Sequence, residues 1–296
     1  MTKFLNATIG VTGASGHLGR RVVELLLEAG ASHVVAITRD PRKLADLAAR
    51  AVEIRQGAFG DAAALAPAFA GVDRLLIIST DTLEGRAQLH ISAIDAAEQA
   101  GVGHIVYTSL TSPYPDPTNL IADSHFWTEA RLANGKATWS ILRNNMYADY
   151  LVPGAQQAVA TGTLFHAAGA GRRAFVTRED CAAAAVGALL GAEGRKIFDV
   201  CGPVALSGDD LAAVFSAISG KAIRAQSIDG AALAAGLAQG GVPAEMAGVL
   251  VRFDTDAAKG YLGIVSDAVE QLTGRPPQPI SIVLTGALAS HAASAA

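Results

Sequence analysis

Three glycines, at positions 13, 16 and 19, carry the most specific chemistry in this sequence. They stand in Gly13-Ala14-Ser15-Gly16-His17-Leu18-Gly19, directly after an apolar, β-branched run over 7–12. Directly after them comes RRVVELLLEAG, where Val22, Val23, Leu26 and Leu27 recur at helical spacing. Gly13 permits a tight turn out of a strand, Gly16 lets backbone approach a pyrophosphate, and Gly19 allows helix and strand to pack closely. The first helical turn then presents free N–H groups and a positive dipole end to phosphate oxygens. A second apolar run over 34–39 completes strand, loop, helix and strand, the context that makes a glycine pattern a dinucleotide signal.

The end of that second strand bears on which dinucleotide. An acid there would hold both ribose hydroxyls; this chain has neutral Thr38, then Arg39. A guanidinium can clamp a 2′-phosphate through two parallel hydrogen bonds, and Lys43 adds a second positive charge. NADPH is therefore the expected cofactor. Asp40 stands next to Arg39 as a competing partner.

Further polar residues fall where later strands end. Ser79 and Thr80 close a fourth strand; Tyr107, Thr108 and Ser109 close a fifth; Asn144, Asn145 and Tyr147 follow a sixth. In doubly wound folds, ligands bind along this carboxyl edge. His125 and Glu129 form an i, i+4 pair on a predicted helix. An imidazole is a competent proton donor near neutral pH, and Glu129 is expected either to raise its pKa or to hold its ring. The bland alternative is a structural helix pair. Met146 suits a pocket lining for a flat aromatic substrate, whereas Phe126 and Trp127 read as core or cleft wall.

Strands are expected over 7–12, 34–39, 52–56, 74–79, 104–109 and 138–143, with helices from 20, over 42–50, 61–69, 86–100 and 123–134 between or beside them. Apolar strands alternating with helices imply a parallel sheet covered on both faces and a doubly wound, Rossmann-type α/β fold. A cofactor domain over 1–150 and a smaller, mainly helical lobe over 151–296, with segments returning to the sheet, is the expected division. Within the lobe, 208–219 and most of 229–273 read as helical, and the alanine-rich end ALASHAASAA as low-complexity without fixed structure. A net charge of −4 with no basic run argues against nucleic acid. Cys181 and Cys201 set no disulfide framework or metal spacing, and both read as core-filling. No apolar signal segment precedes the glycines, and the run 181–192 is too short and alanine-rich to span a bilayer, so a cytoplasmic location is expected.

Five stretches together resemble a known family: VTGASGHLG, ITRD, IADSHFWTEARL, ILRNNMYADY and VTREDCAAAAV. The sequence is similar to the NmrA-like atypical short-chain dehydrogenase/reductases, most closely the branch of NADPH:quinone oxidoreductase type 2 and triphenylmethane reductase. The resemblance implies that residues 13–18, Arg39, Ser79, Thr80 and the Leu142–Tyr147 stretch with Arg143 and Asn144 face NADPH, with Arg178 beside them; Thr108, at the end of the fifth strand, is expected on the same cofactor edge. It places Phe59 on the adenine, although Ala58 stands where the family often carries an acid. The usual short-chain dehydrogenase Tyr-x-x-x-Lys pair is absent, since no tyrosine here has lysine four residues later. His125 and Tyr147 are then the expected catalytic residues. The expected function is hydride transfer from NADPH to a quinone or similar conjugated carbonyl or dye. The alternatives are a non-catalytic NADP(H)-sensing regulator with a protein partner and a biosynthetic ketone or imine reductase. A small aromatic or quinone-like substrate and a homodimer are the expected partners, with no membrane.

Overall fold

The computed structural model describes residues 3–294. Its strands are β1 (Thr8–Val11), β2 (His33–Thr38), β3 (Glu53–Gln56), β4 (Arg74–Ile77), β5 (His104–Leu110), β6 (Thr138–Asn144), β7 (Thr163–His166), β8 (Arg195–Val200) and β9 (Arg224–Ser227). Its helices are α1 (His17–Glu28), α2 (Ala45–Ala48), α3 (Ala62–Phe69), α4 (Arg86–Gln99), α5 (Leu120–Ala133), α6 (Leu151–Thr161), α7 (Arg178–Gly191), α8 (Gly208–Ser219), α9 (Gly230–Gln239), α10 (Ala244–Ala258), α11 (Ala268–Thr273) and α12 (Ser281–Ser294). The segment 42–50, expected as one helix, is instead the 3-10 turn Pro41–Leu44 followed by the single turn α2. The alanine-rich end continues as α12 to Ser294, and the last two residues lie outside the described residues. Among the described residues, no helix is long and apolar enough to cross a membrane.

Two compact units emerge from the contacts. The first comprises Met1–Asn144, Glu179–Val200 and Ala268–Arg275; the second comprises Asn145–Arg178, Cys201–Asp267 and Pro276–Ala296.

The first unit holds a parallel sheet in the order β3-β2-β1-β4-β5-β6-β8. The chain runs outward from β1 to β3, then returns to β4 on the other side of β1. That reversal opens a crevice at the carboxyl ends of β1 and β4, where ligands of such sheets bind. Val35, Ile37, Leu75, Ile77 and Ile105 from the strands pack with Phe69 and Ile94 from α3 and α4. Each is sealed from solvent, and such burial contributes roughly 1.5–3 kcal/mol per large apolar side chain.

Two buried polar residues lock this sheet to its surroundings. The Arg74 guanidinium donates to the carbonyls of Leu189 (2.6 Å), Ala188 (3.1 Å) and Ala192 (2.6 Å) at the end of α7, where Ala188 also accepts from the Ala192 amide at 3.1 Å. It also stacks 4.1 Å over the Phe4 ring. Burial pulls its pKa down to about 10, and the Glu193 charge offsets only part of that. His104 bridges β5 to β6 through the Thr138 hydroxyl (2.8 Å) and the Ser140 hydroxyl (3.1 Å).

The second unit pairs β7 with β9 in parallel and packs α6, α8 and α12 around Phe175, Leu211, Phe215, Leu262 and Leu284. The expected helices over 208–219 and through 229–273 are present as α8 and as α9 and α10, with α11, a part of the first unit, beyond.

Candidate functional site

The glycine loop has the form a phosphate cradle needs. Gly13 turns at φ +62°, a conformation an L side chain strains to adopt. The Gly16 N–H donates to the Gly13 carbonyl at 2.9 Å, closing the turn. A Cβ on Gly19 would lie 2.3 Å from the Gly13 carbonyl oxygen, so only glycine lets α1 start this close to the loop. Gly16 caps α1 without a side-chain bond, and the first turn holds no acid. Its N–H groups and positive dipole end are therefore available to an anion. Ser15, Gly16 and His17 are exposed, whereas Ala14 and Leu18 are buried and anchor the loop instead of offering side chains to a ligand. The Ser15 and Thr38 hydroxyls lie 2.9 Å apart and tie the loop to the end of β2.

At that end Arg39 is exposed. The feared competition from Asp40 does not occur. Asp40 accepts from Arg42 Nε at 2.8 Å and Nη2 at 3.1 Å, and from the Arg42 amide at 3.2 Å, which caps the following turn. Arg42 holds the Asp40 carboxyl below its ordinary pKa. Arg39 and Lys43 are both exposed, and the Lys43 charge adds to the lowering of Asp40.

The next strand ends are fixed from below. The Thr12 hydroxyl donates to the Leu76 carbonyl at 3.0 Å and accepts from the Ile78 amide at 2.9 Å. The Ser79 amide donates to Thr108 Oγ1 at 2.9 Å, and Thr108 donates to Ser79 Oγ at 3.3 Å. The Thr80 amide donates to His90 Nε2 at 3.0 Å.

His90 opens a buried network whose tautomers follow from its obligatory donors. Because His90 Nε2 accepts, its Nδ1 carries the proton and faces Thr128 Oγ1 at 3.1 Å and Tyr107 Oη at 3.2 Å. Thr128 donates its own proton to the Ser124 carbonyl at 2.6 Å, leaving its oxygen to accept from His90 Nδ1. Arg86 can only donate, so at 3.3 Å His125 Nε2 accepts, and His125 Nδ1–H donates to Tyr107 Oη at 2.7 Å. Burial and then the Arg86 charge push His90 down to about 3 and His125 well below the usual imidazole range. Burial likewise raises the Tyr107 hydroxyl. Phe59 presents an edge-to-face ring to His90, with centroids 6.4 Å apart, and packs on the core.

This placement corrects the expectation for His125. The ring is 3% exposed, both its nitrogens are engaged, and its charged form is disfavoured. It is a neutral interior residue, which is not how a group that hands a proton to a substrate is placed. Nor does Glu129 touch it. Glu129 accepts from Ser109 Oγ at 2.7 Å and from Arg143 Nε and Nη2 at 3.0 and 2.7 Å. Arg143, expected toward the cofactor, is thus clamped in a bidentate pair that raises its pKa. Leu142 is fully buried and has no side-chain surface for a ligand, and Asn144 is buried beside it.

The remaining expected residues, Tyr147 and Arg178, belong to the second unit. Tyr147 stacks on Tyr150 at 5.9 Å between ring centroids, with the Arg178 guanidinium 5.3 Å from its ring. Arg178 is held by Asp149 at 2.6 Å. His90, Arg86 and Thr128 were not singled out from the sequence. The available signal was a histidine among the apolar positions of the helix 86–100.

A parallel sheet that reverses at an uncapped, glycine-led helix, with exposed cations closing its second strand, defines a dinucleotide-binding α/β protein. The family model described as NAD(P)H-binding matches residues 13–191. Quinone oxidoreductase 2 of Escherichia coli (strain K12) is 40% identical over 271 residues, spanning 90% of this chain and 94% of that protein. The crystal structure of NADPH-dependent quinone oxidoreductase from E. coli complexed with NADPH matches with a TM-score of 0.89 at 37% identity, covering 94% of this chain and 99% of that one. Triphenylmethane reductase of Citrobacter sp., complexed with NADP(H), matches with a TM-score of 0.88 at 31% identity, covering 95% of this chain and 100% of that one. The chain belongs to the NAD(P)H-binding family, and the resemblance read from its motifs stands.

Proposed function

We propose that this protein is an NADPH-dependent reductase that delivers hydride to a quinone or a conjugated dye. One observation carries the choice of dinucleotide: exposed Arg39 follows neutral Thr38, and Asp40 is taken up by Arg42. The relatives named for quinone and triphenylmethane reduction support the acceptor class.

The open amides of the Gly13–Gly19 loop bind the pyrophosphate, where a Cβ on Gly19 would displace the loop. Arg39 clamps the 2′-phosphate, and Lys43 adds attraction. Ser79 and Thr80, fixed by Thr108 and His90, border the nicotinamide end. When bound, the cofactor supplies the hydride. Reduction of a quinone leaves a delocalised anion that takes its proton from water, so a buried, neutral His125 is no obstacle to turnover. The chain's main contribution is orientation.

The test is oxidation of NADPH by the purified protein, followed through reduced-nicotinamide absorbance with quinones, triphenylmethane dyes and simple ketones as acceptors. Turnover confined to quinones and dyes is the expected result. Turnover confined to ketones would replace this reading with a carbonyl reductase.

A further inference from the structure

The carboxyl end of β4 is held by an unusual acceptor. Beyond Ile77 the chain leaves the sheet ladder, and its amides must find other partners. Ile78 and Ser79 use the hydroxyls of Thr12 and Thr108, which rise from flanking strands. Thr80 uses an imidazole from α4, His90 Nε2, 3.0 Å away. A histidine accepts there only while neutral and only in the tautomer with its proton on Nδ1. The surroundings enforce both conditions. Thr128, whose own proton goes to the Ser124 carbonyl, takes the Nδ1 proton. Tyr107, itself receiving the proton of His125, closes the other side, and Arg86 terminates the chain by donating to His125. Phe59 covers the ring. The imidazole is fully buried, while Ser79 and Thr80 above it are half-buried.

We infer that His90 is a positioning residue for cofactor binding: its Nε2 sets the place of the Thr80 amide, and its Nδ1 is the fixed anchor on Thr128. This rests on the reading of Ser79 and Thr80 as the segment bordering the nicotinamide. The two ring nitrogens have separate tasks, so two substitutions separate them. In His90→Gln the side-chain oxygen reaches the position of Nε2 and keeps an acceptor for Thr80, while the donor to Thr128 is lost. In His90→Asn the side-chain amide reaches the position of Nδ1 and keeps the donor to Thr128, while Thr80 loses its acceptor. Each loses one buried hydrogen bond, so a merely structural role predicts similar melting temperatures and similar cofactor binding for both.

Amide hydrogen exchange of the 78–82 segment in the protein without added ligand, together with NADPH titration, reads the difference. The expected result is faster exchange at Thr80 in His90→Asn than in His90→Gln. NADPH affinity should fall about tenfold in His90→Asn and by less than about threefold in His90→Gln, with kcat changed less than KM. Equal exchange in the two variants overturns the assignment of Nε2 as the anchor of Thr80. Faster exchange in His90→Asn with unchanged NADPH affinity overturns the link to the cofactor. If the unsubstituted protein bound no NADPH, the functional reading and the link to the cofactor would both fall, and the exchange comparison would still decide whether His90 holds the segment. Should His90→Asn fail to fold, His90→Gln against the unsubstituted protein decides: exchange at Thr80 within about threefold of the parent is expected, and exchange accelerated beyond about tenfold overturns the assignment of Nε2 as the anchor of Thr80.

Discussion

The His125 Nδ1 lies 2.7 Å from the Tyr107 hydroxyl, and both side chains are buried. With Nε2 accepting from Arg86, His125 has neither a free nitrogen nor an environment that tolerates a charge. A general acid contributes roughly 10²–10⁴-fold to rate. His125→Gln should therefore lower kcat for quinone reduction by less than about tenfold, the cost of perturbing a buried network. The kcat–pH profile of the parent should also lack an inflection near the ordinary imidazole pKa. A loss of about 10³-fold would restore His125 as the acid.

Four buried imidazoles make acid stability a second test. Burial, with Arg86 beside it, holds His90 at about 3; burial, with Arg74 nearby, does the same for His104. His125 and His166 are lowered for the same reason, with Arg86 and Arg173 as the respective neighbouring cations. In the unfolded chain these groups titrate near 6.5, with ~1 unit of spread. Between roughly pH 6.5 and 3 the unfolded state binds more protons, so stability is full above that window and falls as pH drops through it. Each such group adds a slope of up to about 1.4 kcal/mol per pH unit. Urea unfolding at about pH 7.5, 6 and 5 should show a decline already between the first two values. Stability unchanged down to about pH 5 would mean that these imidazoles are not held neutral.

Arg39 should decide the choice of dinucleotide. Removing a charge-assisted contact of this kind costs about 1.5–3 kcal/mol, so Arg39→Ala should weaken NADPH binding about 10- to 100-fold while leaving NADH affinity nearly unchanged. Equal losses for the two cofactors in a titration would move the 2′-phosphate elsewhere.

Gly19→Ala puts a methyl group 2.3 Å from the Gly13 carbonyl oxygen, a distance only backbone movement can relieve. NADPH binding should be lost or fall by more than about tenfold, with a loss of stability on the order of 1–3 kcal/mol from overpacking. A variant with native affinity would show that the loop tolerates a wider separation from α1.

Arg74→Met removes the guanidinium from over Phe4 and takes the side-chain donor from the carbonyls of Leu189 and Ala192, while Ala188 keeps the Ala192 amide. Buried unsatisfied acceptors cost about 1–3 kcal/mol each, so a drop of at least about 2 kcal/mol in unfolding free energy is expected from the two carbonyls left without a donor. A change below about 1 kcal/mol would show that the end of α7 is satisfied by water.

The sequence exposes some of these features and hides others for physical reasons. Strands β1, β2, β4 and β5 are legible because a parallel sheet covered on both faces writes near-continuous apolar runs, as in VVAIT and RLLI. Strand β8 escapes because Arg195, Lys196 and Ile197 lie on an edge and are exposed, which removes the run. Strands β7 and β9 escape because TLFH and RAQS are short and half-exposed. The glycine loop and Arg39 are legible because their chemistry is local. His125 and Glu129 show the limit of helical spacing. One turn places both on the same side of α5, but Tyr107 claims one and Ser109 with Arg143 claims the other. The tie between His90 and Thr80 joins a helix to a strand end, and no spacing announces it.

The most direct test of the account is steady-state oxidation of NADPH and of NADH by the purified protein with a soluble quinone as acceptor. Turnover is expected, with kcat/KM for NADPH at least about tenfold above that for NADH, the margin expected of one charge-assisted phosphate clamp. Tight NADPH binding with no turnover of any quinone or dye would contradict it and leave a dinucleotide-binding protein that is not a reductase of these acceptors.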